Sequence, residues 1–270
     1  MKTLWYKISS VLFVIIVMSS CLGGDSYYED KNDYAYITYL DDMGRKCAIA
    51  SAGYILSNNI NNLEEGRIYN VGYKINTASS SGYYNADSFN ILGDGEPIPK
   101  GNFKWGAPYS DIPESQKKDT INPSSVSVGN EKLLWSPYDM FDDNWMIQYN
   151  VSKKEDEEVE AYFYYDPAGQ HQNGEALKEN QIIIDIRFVK TEVIEEDADV
   201  SNTSLYSMGS LSDVRDRYTP TYESGESGAI VAIKFRYVRY NPSTRPEVSY
   251  IGEFGSSNSL PRFYMIFSNK

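Results

Sequence analysis

The residue types that carry most enzyme chemistry are sparse in this chain of 270 residues. There is a single histidine, His171, inside the polar stretch 168–174. No Gly-x-Ser-x-Gly pattern stands beside it to supply a nucleophile, and no cluster of His and Cys has the spacing of a zinc site. We therefore predict that His171 is an exposed loop residue, and we expect neither a bound metal nor another cofactor.

Carboxylates are abundant, with 38 Asp and Glu against 25 Lys and Arg and a formal charge of −13. Paired carboxylates hydrolyse glycosides at the right separation, but chance pairs are common among so many acids. The acidic turns at 41–44 and 197–199 offer oxygen ligands without the spacing of a calcium loop, and we interpret them as solvated turns. The charge argues against nucleic acid as a partner, because phosphate binding needs clustered Lys and Arg.

The first twenty residues read as a secretory signal peptide. Lys2 and Lys7 precede the apolar run 11–18, and the small residues Ser19 and Ser20 follow it. This order of a basic region, an apolar stretch and a cleavage region is typical of such signals. The apolar run is too short to span a bilayer, which needs about 20 residues.

The next residue, Cys21, completes a sequence that resembles a bacterial lipobox. Met18, Ser19 and Ser20 precede the cysteine, with Met18 where leucine is usual. The resemblance implies that the Cys21 thiol carries diacylglycerol and becomes the mature N-terminus, and that its acyl groups, such as palmitate, tie the chain to membrane lipid. An ordinary signal peptide with an incidental cysteine is the alternative. Leu22 rather than aspartate follows, which implies an outer-membrane destination.

Residues 21–33 are predicted to form a lipidated acidic tether. The stretch contains Asp25, Glu29, Asp30 and Asp33 among small and polar residues. Such a run is typical of a solvated linker. In some Gram-negative lipoproteins an acidic stretch here also directs export to the cell exterior, so a periplasmic and a surface-exposed location both stay open.

The body of the chain is predicted to be all-β. In residues 34–105 short runs of strand formers alternate with turns, and 67–76 alternates strictly between apolar and polar residues. Several short strands without a long helix predict a small barrel resembling the OB fold. Cys47 lies in an apolar run of this region and is predicted to be buried.

Residues 106–127 are predicted to be a Pro/Ser-rich linker, since proline and serine punctuate this stretch. Within it, Asp119, Thr120 and Ile121 resemble the short acceptor used for O-glycosylation of secreted proteins in some bacteria. The resemblance makes Thr120 a candidate modification site.

Residues 128–270 are predicted to form an antiparallel β-sandwich. Their strand-forming runs alternate between apolar and polar residues and are separated by turns. The stretch 204–218 is ambiguous. Its apolar residues recur every third position, which fits one amphipathic helix as well as a strand followed by a loop.

The abundance of tyrosine is the feature of the composition that suggests a function. The chain contains 24 tyrosines. Tyr162, Tyr164, Tyr237 and Tyr240 lie in two aromatic-rich strand patterns. Aromatic rings on a β-scaffold can stack on sugars or form the centre of a protein interface. Tyrosine also suits strands and half-buried surfaces, so a purely structural role is the competing interpretation.

Two segments resemble the NigD-like lipoproteins, a family with an N-terminal OB-type domain and a C-terminal β-sandwich. The first is Gly-Arg-Ile-Tyr-Asn-Val-Gly-Tyr-Lys-Ile at 66–75. The second is Leu-Leu-Trp-Ser-Pro-Tyr-Asp-Met-Phe-Asp-Asp-Asn-Trp-Met-Ile-Gln-Tyr at 133–149. The sequence departs from the family pattern after Cys21 and in the loops 166–174 and 197–228. The resemblance implies no catalytic residues.

These observations predict a lipid-anchored lipoprotein of the Gram-negative outer membrane, possessing no enzymatic activity, that binds or scaffolds a protein or a glycan. Two alternatives remain. One is a hydrolase directed at polysaccharides, and the other is an immunity-type protein associated with a bacteriocin, which follows only from the family name.

Overall fold

The structure is a computed structural model that describes residues 26–40, 44–78, 82–108, 120–129, 143–191, 199–222, 225–239, 247–255 and 259–268. The described part is almost entirely β-strand, which confirms the predicted fold class. It divides into two compact units. Residues up to 65 together with 70–93 form the first, and residues 66–69 with those from 94 onward form the second.

The first unit is a closed barrel with the strand order β1-β2-β3-β5-β4. Its strands are β1 (Tyr27–Leu40), β2 (Arg45–Ala50), β3 (Gly53–Leu56), β4 (Ile68–Asn76) and β5 (Tyr83–Ile91). Strands β3 and β5 pair in parallel, whereas β1–β2, β2–β3 and β4–β5 pair antiparallel. This is a five-stranded barrel of the OB type. A short 3-10 helix, Asn58–Ile60, follows β3.

The barrel core follows the period-two pattern of the sequence over most of β4. Val71, Tyr73 and Ile75 are buried at alternate positions, whereas Ile68 and Tyr69 at the start of the strand are both buried. Cys47 is fully buried and has a free thiol, as its apolar surroundings predict. The barrel therefore closes around apolar residues contributed by alternate strand positions.

The first strand begins earlier than the sequence analysis expects. It starts at Tyr27, inside the stretch 21–33 that was predicted to be a tether. The reason lies in Asp33, whose buried carboxylate accepts hydrogen bonds from the backbone N–H of Ser51 at 3.0 Å and the hydroxyl of Tyr73 at 2.9 Å. The sequence predicts that this acidic residue belongs to a solvated linker. In the structure its carboxylate instead joins separate parts of the barrel by hydrogen bonds, and we call this contact the Asp33 tie.

The second unit contains two main sheets and one short hairpin. One sheet has the order β16-β15-β13-β10-β6, with β17 also paired to β15 and β7 to β13, and the other has the order β14-β9-β8. The strands are β6 (Asn102–Trp105), β7 (Thr120–Ile121), β8 (Ser125–Val128), β9 (Asn144–Lys154), β10 (Val159–Tyr165), β11 (His171–Gln172), β12 (Glu175–Ala176), β13 (Gln181–Lys190), β14 (Val200–Ser210), β15 (Gly228–Arg239), β16 (Glu247–Ile251) and β17 (Phe263–Ser268). Strands β11 and β12 form the hairpin, which follows the 3-10 helix Pro167–Gly169.

The sandwich is not purely antiparallel, which corrects that part of the prediction. Strand β13 pairs in parallel with β15, and β6 pairs in parallel with β10. Parallel neighbours need a long crossover, and β14 with a short helix provides one between β13 and β15. The stretch predicted to be a linker contributes strands as well, since β7 pairs with β13 and β8 with β9. Residues 109–119 of that stretch lie outside the described part.

Large aromatic side chains fill the space between the two sheets. The Trp145 ring lies edge-on to Phe163 with centroids 5.2 Å apart, and 5.1 Å from Phe235. The ambiguous stretch 204–218 resolves into the end of β14 and a helix, α1 (Ser212–Arg217). Leu211 and Val214 are buried in the same core, so the repeating apolar residues of this stretch cover one end of the sandwich.

Candidate functional site

A cleft of about 870 Å³ opens on the barrel where β1 ends and β2 begins. Its residues come from β1, the start of β2, the end of β3, the segment that follows β3, and β5. They are Tyr39, Gly44, Arg45, Lys46, Leu56, Ser57, Asn58, Asn59, Asn61, Asn85, Ala86, Asp87, Ser88 and Phe89. We call this site the barrel cleft.

One wall of the barrel cleft is the 3-10 helix, which is held in place from both sides. The Ser57 side chain caps it by accepting a hydrogen bond from the N–H of Asn59 at 3.3 Å. The Asn59 side-chain amide donates to the carbonyl of Phe89 at 2.7 Å. Lys46 Nζ donates to the carbonyls of Asn61 at 3.1 Å and Leu63 at 2.8 Å. This wall is therefore fixed before any ligand arrives.

The remaining polar side chains of the cleft face solvent. Asn58, Asn61, Asn85 and Ser88 are exposed and offer both donors and acceptors of hydrogen bonds. The ring of Tyr39 is 45 % exposed at the same site. Amide and hydroxyl groups beside an accessible aromatic ring can bind a ligand that is rich in hydroxyl groups, because its polar edges form hydrogen bonds while its apolar face stacks on the ring.

The charges of the barrel cleft are few. Asp87 is its single carboxylate among the described lining residues, and Arg45 and Lys46 are its cations. The Arg45 guanidinium lies 5.3 Å from the centroid of the Tyr83 ring, and Lys46 holds backbone carbonyls. The arrangement suits a neutral or weakly charged ligand better than a polyanion.

A second, smaller cleft of about 570 Å³ lies in the sandwich unit and contains a buried ion pair. Arg236 Nε lies 2.5 Å from Asp185 Oδ1, and Nη2 lies 2.8 Å from Oδ2, so the contact is bidentate. Burial raises the pKa of Asp185 while Arg236 opposes that shift, and the hydrogen bond to Asp185 raises the pKa of Arg236. Because each group neutralises the other, this pair serves the structure.

The structure does not gather the predicted tyrosines into one exposed surface. Tyr162 and Tyr164 lie on the face of β10 away from the sandwich core, where Tyr162 is half-buried and Tyr164 is buried. Burial raises the pKa of Tyr162, and the charge of Glu160 adds to this shift. Tyr237 belongs to the core on the opposite face of the sheet. Tyr240 lies outside the described residues.

The other candidate residues are placed as follows. Thr120 is half-buried on β7, and its hydroxyl accepts a hydrogen bond from Arg187 Nε at 2.8 Å, so it already has a structural contact. His171 is exposed, as predicted, but it lies in the two-residue strand β11 rather than in a loop. Cys21 lies outside the described residues.

No group of three His, Cys, Asp or Glu side chains in the described part of the chain is placed to hold a metal ion. None of its helices has the length and apolarity that crossing a membrane requires.

The barrel cleft was not predicted from the sequence. Four asparagines, at 58, 59, 61 and 62, make the segment after β3 unusually rich in amides. That local enrichment was the available signal. The partners in β5, Asn85 and Asp87, are brought beside it only by the parallel pairing of β3 and β5.

No protein-family model matches the chain, and no curated protein matches it either. Several solved structures are similar in fold. A Bacteroides fragilis NCTC 9343 protein, provisionally described as a lipoprotein, is 12 % identical with a TM-score of 0.49, over 86 % of this chain and 99 % of its own. The protein of unknown function DUF1344 from Bacteroides vulgatus ATCC 8482 is 9 % identical with a TM-score of 0.45, over 87 % and 95 %.

A NigD-like immunity protein from Bacteroides caccae ATCC 43185 is also similar, at 11 % identity and a TM-score of 0.42, over 84 % of this chain and 93 % of its own. Identities this low speak to the fold alone, because one fold hosts many functions.

Proposed function

We propose that this protein is a lipid-anchored lipoprotein of the bacterial envelope that binds a glycan in the barrel cleft without transforming it. The observation that carries the proposal is the lining of that cleft, with exposed amides and hydroxyls beside the accessible ring of Tyr39. Barrels of the OB type bind oligonucleotides or oligosaccharides, and the formal charge of −13 disfavours the former.

The anchor is assigned to Cys21. The basic residues, the short apolar run and the small residues before Cys21 support cleavage and acylation there. Incorporation of radiolabelled palmitate that is lost in a Cys21→Ala variant supports this assignment. A Cys21→Ala variant that stays tightly bound to the membrane contradicts it. Leu22 after the cysteine supports the outer membrane, and protease shaving of intact cells separates a surface-exposed body from a periplasmic one.

Glycan binding is tested with the mature chain on a glycan array. The proposal expects a defined set of glycans to be retained by the wild-type protein and lost when Tyr39 and Asn85 are both changed to alanine. The matched control is Tyr54→Ala, since Tyr54 is exposed on the same barrel but does not line the cleft. An array without specific binding, or binding that survives the double substitution, contradicts the proposal.

The alternative of a polysaccharide hydrolase requires two carboxylates at one site. Among the described lining residues, the barrel cleft and the cleft around Asp185 have one carboxylate each, and Asp185 is bound to Arg236. The neighbouring acids Glu29 and Asp30 line a third, smaller cleft of about 230 Å³. Turnover of a chromogenic glycoside that is abolished by changing one specific Asp or Glu favours the hydrolase. The alternative of an immunity-type role follows only from the family resemblance. Unchanged sensitivity to the product of a neighbouring gene after deletion removes it.

A further inference from the structure

The folded barrel begins very close in sequence to the proposed lipid attachment point. The carbonyl of Ser26 accepts hydrogen bonds from the backbone N–H and the side-chain hydroxyl of Thr77, each at 2.6 Å. The chain therefore enters the barrel at Ser26, and β1 begins at the next residue. Five peptide units join Cys21 to Ser26, so the two Cα atoms are at most about 18 Å apart.

This end of the barrel exposes two aromatic side chains. Tyr27 is 44 % exposed and Tyr28 is 41 % exposed, and consecutive strand residues point to opposite sides. Lys74 Nζ lies 4.7 Å from the centroid of the Tyr27 ring, and the Tyr28 ring lies 6.1 Å from that of Tyr73. Tyrosine is enriched where a protein meets the boundary between membrane and water, because its ring prefers the apolar side and its hydroxyl the aqueous side.

The charges at this end cancel. Glu29 and Asp30 stand beside Lys31 and Lys74, and Lys31 Nζ lies 3.9 Å from Glu29 Oε1. A contact made here has no net positive charge with which to attract anionic lipid. A membrane contact at this end depends instead on the exposed ring of Tyr27 and on the short connection to Cys21.

We propose that the ring of Tyr27 rests in the headgroup layer of the leaflet that holds the acyl chains of Cys21, while Tyr28, on the other side of the strand, packs towards Tyr73. This proposal rests on the lipidation stated above. It distinguishes the two ends of β1, because Tyr39 lies near the other end of that strand.

The test uses the mature chain anchored chemically, so that its outcome does not depend on acylation in the cell. Cys47 is buried, so a maleimide phospholipid couples to Cys21. The photo-crosslinking residue p-benzoyl-phenylalanine replaces Tyr27 in one sample and Tyr39 in the other. Tyr39 is a matched control, being a tyrosine of similar exposure on the same strand. Both samples are irradiated in vesicles of pure phosphatidylcholine, and lipid adducts are measured by mass spectrometry.

We expect several-fold more lipid adduct at position 27 than at position 39, with no further increase when one lipid in five is replaced by anionic phosphatidylglycerol. Equal adducts at the two positions overturn the proposal. Adducts at position 27 that form with a second protein chain in place of lipid also overturn it, as does contact that appears only with the anionic lipid. A failure of palmitate labelling in cells, by contrast, removes the natural anchor without altering this result.

Discussion

The hydroxyl of Tyr73 on β4 donates a hydrogen bond to the carboxylate of Asp33 on β1, with an O···O distance of 2.9 Å. Ser51, between β2 and β3, lies 3.0 Å from the same hydroxyl. Two strands and one turn that are distant in sequence thus meet at one buried carboxylate. Because of this contact, an acidic segment that was expected to be solvated is part of the barrel wall. The folded barrel therefore begins only a few residues after Cys21 in the sequence.

Removing the hydroxyl of Tyr73 tests whether its hydrogen bond to Asp33 stabilises the barrel. Tyr73→Phe is expected to lower the free energy of unfolding of the barrel by about 1–3 kcal/mol, because a buried carboxylate loses a donor. The measurement is urea unfolding of the mature chain followed by far-ultraviolet circular dichroism. Tyr39→Phe, at an exposed tyrosine on β1, is the control and should leave stability unchanged. Equal stability of Tyr73→Phe and wild type contradicts the proposed tie.

A second buried acid predicts how stability depends on pH. Burial by itself raises the pKa of Glu157, but hydrogen bonds from the backbone N–H of Lys154 and from Lys190 Nζ, both at 2.9 Å, outweigh it and hold the pKa below its usual 4.5. A carboxyl whose pKa is lower in the folded protein than in the unfolded chain stabilises the fold above the unfolded pKa. That stabilisation is lost as the pH falls through the lower, folded value.

Glu157→Gln is therefore expected to be less stable than wild type at pH 7 by about 1–3 kcal/mol, and the difference should shrink as the pH falls below about 4.5. Tryptophan fluorescence during urea unfolding at several pH values measures it. Glu158→Gln changes an exposed neighbour and should show no such difference. A gap between Glu157→Gln and wild type that is constant from pH 7 to pH 3 argues against the lowered pKa.

The close approach of β14 to Trp145 predicts that Gly209 has no room for a side chain. A Cβ atom at Gly209 would lie 2.3 Å from a carbon of the Trp145 ring. Gly209→Ala is expected to destabilise the sandwich by about 1–3 kcal/mol through overpacking, and to change the near-ultraviolet circular dichroism of the indole. Ser201→Ala, at an exposed position of the same strand, should do neither. Wild-type spectra and stability for Gly209→Ala would show that Trp145 is not packed in this way.

The ion pair of the sandwich predicts strong coupling between its partners. Arg236→Met leaves the Asp185 carboxylate buried without its bidentate partner, and the expected cost is about 3–5 kcal/mol. The double variant Asp185→Leu, Arg236→Met removes both charges and should recover a large part of that loss. A double-mutant cycle from urea unfolding gives the coupling energy directly. Additive effects of the two substitutions refute a structural role for the pair.

Much of the fold is predictable from the sequence because strand periodicity is local. The alternation in residues 67–76 corresponds to β4, and strand-forming runs of the second half correspond to β9, β10, β13 and β15. Burial of charged residues is different, because it depends on partners far away in sequence. The sequence predicts Asp33 to be part of a solvated tether, yet Tyr73 binds its buried carboxylate, and the buried Glu157 is bound by Lys190, which lies 33 residues away.

The candidate site was less predictable for the same reason. The tyrosine-rich strands predicted one aromatic surface. Tyr164 and Tyr237 instead lie on opposite faces of one sheet, because side chains alternate along each strand and the strand register sets which face each occupies. The barrel cleft combines Tyr39, Asn58 and Asn85, which are distant in sequence. Their convergence follows from barrel closure, which no local pattern encodes.

The proposed function depends on glycan binding in the barrel cleft, which calorimetric titration of the strongest array ligand measures. We expect saturable binding with one site per chain and a loss of about tenfold or more in affinity for Tyr39→Ala, as expected when a stacking ring is removed. Tyr54→Ala should bind as wild type. Equal affinities of the wild-type protein and the Tyr39→Ala variant would rule out glycan binding at this cleft.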